Sequence, residues 1–433
     1  MELVTLKEKE FKDFAYNHDQ ATFHQTVGWG KLKETNGWHY EFLGMKNKKK
    51  VVAAFLLLSK QTPIKKKMFY APHGFILDYN DFELLDELVL KMKDYVKKND
   101  GIFFKIDPYV MLRQRDINGE IVENGVDNTN IYNHLKKLGF KEINGKTTEQ
   151  TLQGKWIYWI DINGKSFDEI VTPKMKLTHR QNEKNGVYVR EGSYDELDKF
   201  KKIMDHLSDR KEFISRSLKY YQDMYKSLSE EGIAKVYFAE LNVKEQLEKC
   251  REEKEKLETE YNTKEEDYKN GKISVNEKKF RVRQNELKNA ITKNNKNLEE
   301  FSQLHKEYGD IVTLGGVMYM IHGRDVLAFI GGGYSDYLNL QPAYSIHYEM
   351  MKYAADNNYR YYNFYGISGN LVESDPMYGV YQFKKGFGGE VVELMGEFDM
   401  PVRPFYYFLY KNSYKLVHNL KKIKTKLHIK KGN

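Results

Sequence analysis

Three stretches of the sequence carry side chains able to do chemistry. In residues 23–38, FHQTVGWGKLKETNGW, Trp29 and Lys33 are four apart, one helical turn along one face. A lysine beside an aromatic ring suits a phosphate or a carboxylate, and it serves equally as a surface charge. Residues 173–187, PKMKLTHRQNEKNGV, gather Lys174, Lys176, Arg180 and Lys184 ahead of a Gly turn. That spacing gives either an anion-binding helix face or a solvated one. Residues 361–370, YYNFYGISGN, and 378–390, YGVYQFKKGFGGE, contain Tyr362, Tyr365, Phe383 and Lys384. Both place polar and aromatic groups where an apolar strand runs into a Gly turn, as at the rim of an α/β sheet.

Other chemistries lack their signatures. There is no nucleophile elbow, phosphate-binding loop, dinucleotide fingerprint or zinc spacing. The run Gly331-Gly332-Gly333 has neither the helix nor the Lys-Ser/Thr that would follow in a phosphate cradle, and reads as a tight strand end. The single cysteine, Cys250, leaves no intrachain disulfide and no multi-cysteine metal site. The histidines are scattered, so metal-free chemistry without a cofactor is expected.

The elements that must position these residues alternate between strand and helix periodicity. Strands are predicted at Glu41–Met45, Val51–Ser59 and Ile102–Asp107, and an amphipathic helix at Asp81–Lys98. A shorter helix, Ile131–Leu138, stops at Gly139. A second α/β unit starts near Trp156 with WIYWIDI, includes a helix over Tyr194–Leu207, and breaks off after a strand at Lys235–Leu241. It resumes near Ile311, with further pieces at Gly315–His322, Val326–Gly331, Ser345–Asn357, Tyr361–Gly366 and Val391–Gly396.

The break itself has a period. Positions 243, 247, 250, 254, 257, 261, 264 and 268 step by four and three, and 280 to 305 repeat the pattern beyond Asn270-Gly271. Two such stretches around a turn predict an antiparallel coiled-coil hairpin, each arm on the order of 40 Å long. Ten acids and six bases lie in 243–268, against four acids and nine bases in 272–306, so the arms attract each other. Hairpins of this kind hold tRNA, act as spacers or make dimer contacts.

The chain has 433 residues, 70 bases and 62 acids. With 30% charged residues and no apolar run longer than Val51–Leu58, it is not an integral membrane protein. The opening MELVTLKEKEFK has acids where a signal peptide needs apolar residues, so a cytosolic chain is expected. The net charge of +8 is local: nine bases and no acid follow Met400, and without them 61 bases face 62 acids. Leu416, Val417, Leu420, Ile423 and Leu427 recur at helical spacing among the lysines. This segment suits anionic lipid, an RNA backbone, or docking of a solvated terminal helix by its apolar side.

Taken together, six ordered segments resemble the FemABX family of peptidoglycan-bridge aminoacyltransferases. They are FHQTVGWGKLK, FYAPHGFILDY, FKIDPY, KNGVYVR, RYYNFYGISG and YGVYQFKKGFGGE, spread over nearly the whole chain. The resemblance implies two GNAT-like (acyl-CoA N-acyltransferase-like) α/β domains with the coiled-coil arm inserted in the second. The expected divisions are 1–154, then 155–241 with 308–400, the arm at 242–307, and the basic tail at 401–433.

The resemblance also implies transfer of Gly, Ser or Ala from aminoacyl-tRNA to a stem-peptide amine of a cell-wall precursor. The acceptor would be lipid II or its UDP-linked muramyl peptide, met at the inner leaflet by a cytoplasmic, peripheral enzyme. A homodimer or related aminoacyltransferases would be its protein partners. Lys33, beside Trp29, falls on the family's substrate-phosphate lysine; Arg180 or Lys176 falls in the basic run that helps hold the diphosphate. Phe383 and Lys384 fall on the FK pair at the acyl-transfer site, Tyr362 and Tyr365 lie in the adjoining strand motif, and Asp107 falls on the aspartate of the IDP motif. Close relatives have Arg where this chain has His73. Two other readings are a non-catalytic tRNA- or precursor-binding relative involved in resistance to wall-lytic enzymes, and an acyl-CoA acetyltransferase. The latter needs a Gly-rich pyrophosphate loop, which is missing.

Overall fold

Apolar alternation and β-branched runs become fifteen strands among the residues described by the computed structural model, namely 1–143, 152–211, 215–271 and 277–412. In chain order the first seven are β1 (Glu2–Thr5), β2 (His39–Asn47), β3 (Lys50–Gln61), β4 (Lys67–Ala71), β5 (Gly101–Ile106), β6 (Met111–Gln114) and β7 (Lys141–Ile143). Then come β8 (Trp156–Asp161), β9 (Val187–Gly192), β10 (Ala234–Asn242), β11 (Ile311–His322), β12 (Asp325–Gly333), β13 (Tyr361–Gly366), β14 (Glu390–Leu394) and β15 (Glu397–Pro401).

They form two sheets, ordered β1-β2-β3-β4-β5-β15-β7 and β6-β14-β8-β13-β12-β11-β10-β9. Each is antiparallel except for one parallel pair, β4–β5 in the first and β12–β13 in the second. The result is the expected α/β fold, built on two sheets. The sheets trade strands across the sequence division: β6, from the first 154 residues, pairs with β14, and β15 returns to pair with β5 and β7. This exchange ties the units together at the level of backbone hydrogen bonds.

The helix Phe82–Lys98 shows how local signals set an element. Asp81 caps it by accepting from the Leu84 N–H at 3.0 Å, and Leu84, Leu85, Leu88, Val89, Met92 and Val96 line its buried face. That face packs on β5, all six residues of which are buried. Strand β3 is covered on both sides, because Ala54, Leu56 and Leu58 point into one cluster and Ala53, Phe55 and Leu57 into another.

The helices Val243–Lys269 and Glu277–Tyr308 pack against each other as an antiparallel pair. Tyr268 stacks on Phe280 at 4.0 Å near the tip, Arg283 pairs with Glu260 at 2.7 Å, and Asn294 donates to the Cys250 carbonyl at 2.7 Å. At the base, Leu298, Phe301 and Leu304 join the core of the second unit. No described helix is long and apolar enough to cross a membrane. Of the segment expected as a basic tail, residue 401 ends β15 and 404–412 form a helix, whereas 413–433 lie outside the described residues.

Candidate active site

Strand β13 delivers residues to both faces of the second sheet. Its even positions Tyr362 and Phe364 enter the core of the second unit, while Tyr365 packs toward the first. Tyr365, next to last in the strand, takes φ +64, a left-handed conformation unusual for a bulky residue. The turn aims two carbonyls at one point. Lys384, on the helix Tyr378–Lys385, donates from Nζ to the Gly366 oxygen at 2.5 Å and the Tyr365 oxygen at 3.3 Å. Lys384 is only 8% exposed and pairs with no carboxylate among the described residues. Burial pulls its ammonium down to about 7.

The side chain of Tyr365 leads to the first unit. Its hydroxyl donates to Gln153 Oε1 at 2.7 Å, and Gln153 Nε2 lies 3.0 Å from His24 Nε2. With the amide donating, His24 carries its proton on Nδ1, a buried atom with no partner among the described residues. Burial first, then the neighbouring His73 and Lys33, keep that imidazole neutral. Its ring sits 4.1 Å from His73 and 4.7 Å from Trp29, whose buried Nε1 also lacks a partner.

Trp29 and Lys33 share the helix Val27–Thr35, capped by Thr26, and Lys33 Nζ lies 4.3 Å from the Trp29 ring. Burial, with the charges of Arg216 and Lys60, brings the Lys33 ammonium down to about 8. No carboxylate among the described residues pairs with it. The packing that assembles this cluster turns on Gly28: a Cβ there would meet the Ser227 carbonyl at 2.3 Å. Its N–H donates to Glu231 at 3.1 Å, fixing the helix Val27–Thr35 against Leu218–Ser229, with Arg216 just before the latter. Lys33, Lys60 and Arg216, none paired with a described carboxylate, form a cationic cluster suited to a polyanion. Arg216 was missed in the sequence; its one signal is Tyr220 four residues on, over which its guanidinium lies at 5.3 Å.

Asp107 closes β5 on the same side. Its Oδ1 accepts from the His73 N–H at 2.8 Å and Oδ2 from the Tyr70 hydroxyl at 3.1 Å. Burial, followed by the charge of Glu397, pushes its carboxyl well above the usual range. One oxygen therefore fixes the 71–74 loop, where His73 takes φ +57, and the other holds the Tyr70 hydroxyl from β4. The neutral His73 ring, pushed to about 3 by burial, stacks flat on Tyr109 at 4.7 Å. Tyr109 then donates to Asp325 at 2.8 Å and accepts from Asn363 at 2.9 Å, which sews the two units together.

The remaining candidates are placed differently. Tyr362 is fully buried, its hydroxyl 2.9 Å from that of Tyr319 and 2.7 Å from His347 Nδ1, so it shapes the wall rather than facing a ligand. Phe383 packs among Tyr344, His347 and Phe387. On the helix Pro173–Lys184, Lys176 pairs with Asp168 at 2.6 Å and Arg180 is exposed. Lys174 of that helix reaches the Phe383 cluster, its Nζ 5.4 Å from the Tyr344 ring. Among the described residues no group of three or more His, Cys, Asp and Glu side chains could hold a metal ion.

The FemAB family profile matches residues 6–415. The chain is 30% identical over 413 residues to the aminoacyltransferase FemA of Staphylococcus aureus (strain MRSA252), covering 94% of this chain and 97% of the relative. It is 30% identical over 429 residues to the aminoacyltransferase FemA of Staphylococcus epidermidis, covering 98% and 100%. The crystal structure of FemX superposes with a TM-score of 0.78 at 25% identity, covering 95% of this chain and all of the other.

Proposed function

The chain belongs to the FemAB family and is an aminoacyltransferase, and from that premise we propose that it moves an amino acid (Gly, Ser or Ala) from aminoacyl-tRNA to the stem-peptide amine of a peptidoglycan precursor. The precursor is lipid II or its UDP-linked form, and the enzyme works in the cytoplasm at the inner face of the cell membrane. The observation that carries this reading is the buried Lys384 ammonium, held by two carbonyls at a strained strand end and unpaired with any described carboxylate.

An aminoacyl ester is already activated, so no covalent enzyme intermediate is required. The acceptor nitrogen attacks the ester carbonyl carbon, the bond from that carbon to the ribose oxygen breaks, and the proton lost by nitrogen ends on the departing ribose oxygen. Holding amine and ester in line supplies several kcal/mol of the barrier. As negative charge grows on the carbonyl oxygen, Lys384 supplies the positive charge that stabilises it. Lys33, Lys60 and Arg216 hold the phosphates of the acceptor, and Tyr365 bridges the two regions through its carbonyl and its hydroxyl.

Lys384→Met tests the reading. It should lower kcat by about 100-fold or more while leaving the acceptor KM within about twofold. Turnover near the unmodified level would remove Lys384 from the chemistry.

A further inference from the structure

Beyond β15 the chain folds back against β5 of the first sheet. Residues 404–412 form a helix opened by Pro404. Tyr407 and Tyr410 turn inward: each ring lies 5.3 Å from Phe103, and the Tyr407 hydroxyl donates to Asp399 at 2.9 Å. The intervening positions turn outward. Phe405 is 67% exposed and Phe408 65%, with Tyr406 and Leu409 beside them. Two largely exposed phenylalanines on one helical face form an apolar patch that no described residue covers.

The rim of this patch is basic. Lys66 lies 5.4 Å from the Tyr406 ring, and Arg403 donates to the Lys97 carbonyl at 3.1 Å, which brings in the exposed end of the helix Phe82–Lys98. The partly exposed Asp100 beside the patch is paired with Lys66, and Asp399, buried beneath the helix, is paired with Lys411. Lys97 and Lys98 have no carboxylate partner among the described residues. The sequence that follows, 413–433, adds seven bases and no acid.

We infer that the face formed by Phe405, Phe408 and the surrounding lysines docks on an anionic lipid bilayer. Aromatic side chains inserted at headgroup depth beneath a ring of Lys and Arg are the chemistry of an interfacial helix on an acidic leaflet. A protein partner would need acids to match the rim, and a second copy of this chain would present the same basic charge to it. This deepens the peripheral location proposed above by naming the face. Tyr407 and Tyr410 pack on Phe103, four residues along β5 from Asp107, a separation of about 13 Å.

The test uses the full chain and sedimentation with vesicles of phosphatidylglycerol and phosphatidylcholine, alongside turnover on the water-soluble UDP-linked acceptor. Phe405→Ser/Phe408→Ser should reduce vesicle binding by at least about 10-fold with the basic C-terminal sequence intact. Lys97→Gln/Lys98→Gln should weaken it by a few-fold, and both effects should shrink in pure phosphatidylcholine. Turnover on the soluble acceptor should stay unchanged in all variants; failure of that turnover in the unmodified protein would count against the proposed function and not against the docking face. Unaltered vesicle binding by the phenylalanine variant would overturn the inference. So would a concentration-dependent dimer that the variant abolishes without any change in lipid binding.

Discussion

Lys384 Nζ lies 3.3 Å from the carbonyl oxygen of Tyr365, and the hydroxyl of that same tyrosine lies 2.7 Å from Gln153, a neighbour of His24. One residue in a left-handed conformation thus touches Lys384 with its backbone and Gln153 with its side chain. The relationship gives the site a mechanical link between the two units, and several consequences can be measured.

The pH profile should report Lys384. If the ammonium is the active form and titrates at about 7, kcat is highest below that value and falls as pH rises through it. Lys384→Arg keeps its charge at every accessible pH, so its residual activity should lose that alkaline limb. A limb that persists unchanged in Lys384→Arg would assign it to another group.

The cation pocket should act on binding. Lys33→Ala and Arg216→Ala should each raise the acceptor KM by about 10-fold with kcat little changed, and added salt should weaken acceptor binding less in either variant. An unchanged KM in both would reject the phosphate role.

Gly28 should matter through packing. Gly28→Ala forces the helix Val27–Thr35 off the Ser227 carbonyl, which should lower Tm by several degrees and also raise the acceptor KM as Lys33 moves away from Arg216. Normal acceptor KM in a destabilised variant would mean that this contact is only structural.

Tyr362 offers the opposite pattern. Tyr362→Phe removes a buried hydroxyl held by Tyr319 and His347. A loss of about 1 kcal/mol in denaturant unfolding is expected, with acceptor KM unchanged. A raised KM without destabilisation would place Tyr362 against the substrate after all.

Most elements were legible because local signals agreed with tertiary demand. The capped, amphipathic stretch after Asp81 reads as a helix from its spacing alone, and the four-three period of 243–305 names its partner as well. The exchange of β6 and β15 was not legible, since strand order depends on long-range pairing that four- or five-residue segments do not encode. At the site, Trp29 and Lys33 are visible as an i,i+4 pair, and so their contact follows from the helix. Arg216 belongs to the same pocket only because Gly28 lets two helices meet, a contact between residues about 200 apart in the chain. Tyr362 and Tyr365 looked equivalent in the sequence; a strand separates them to opposite faces.

The central claim is tested most directly by transfer itself. Purified protein would be incubated with radiolabelled Gly-, Ser- or Ala-tRNA and either lipid II or the UDP-linked precursor, with Lys384→Met in parallel. Label is expected to appear on one acceptor from at least one charged tRNA, and to be nearly absent with the variant. No transfer from any of the three tRNAs to either acceptor would contradict the account.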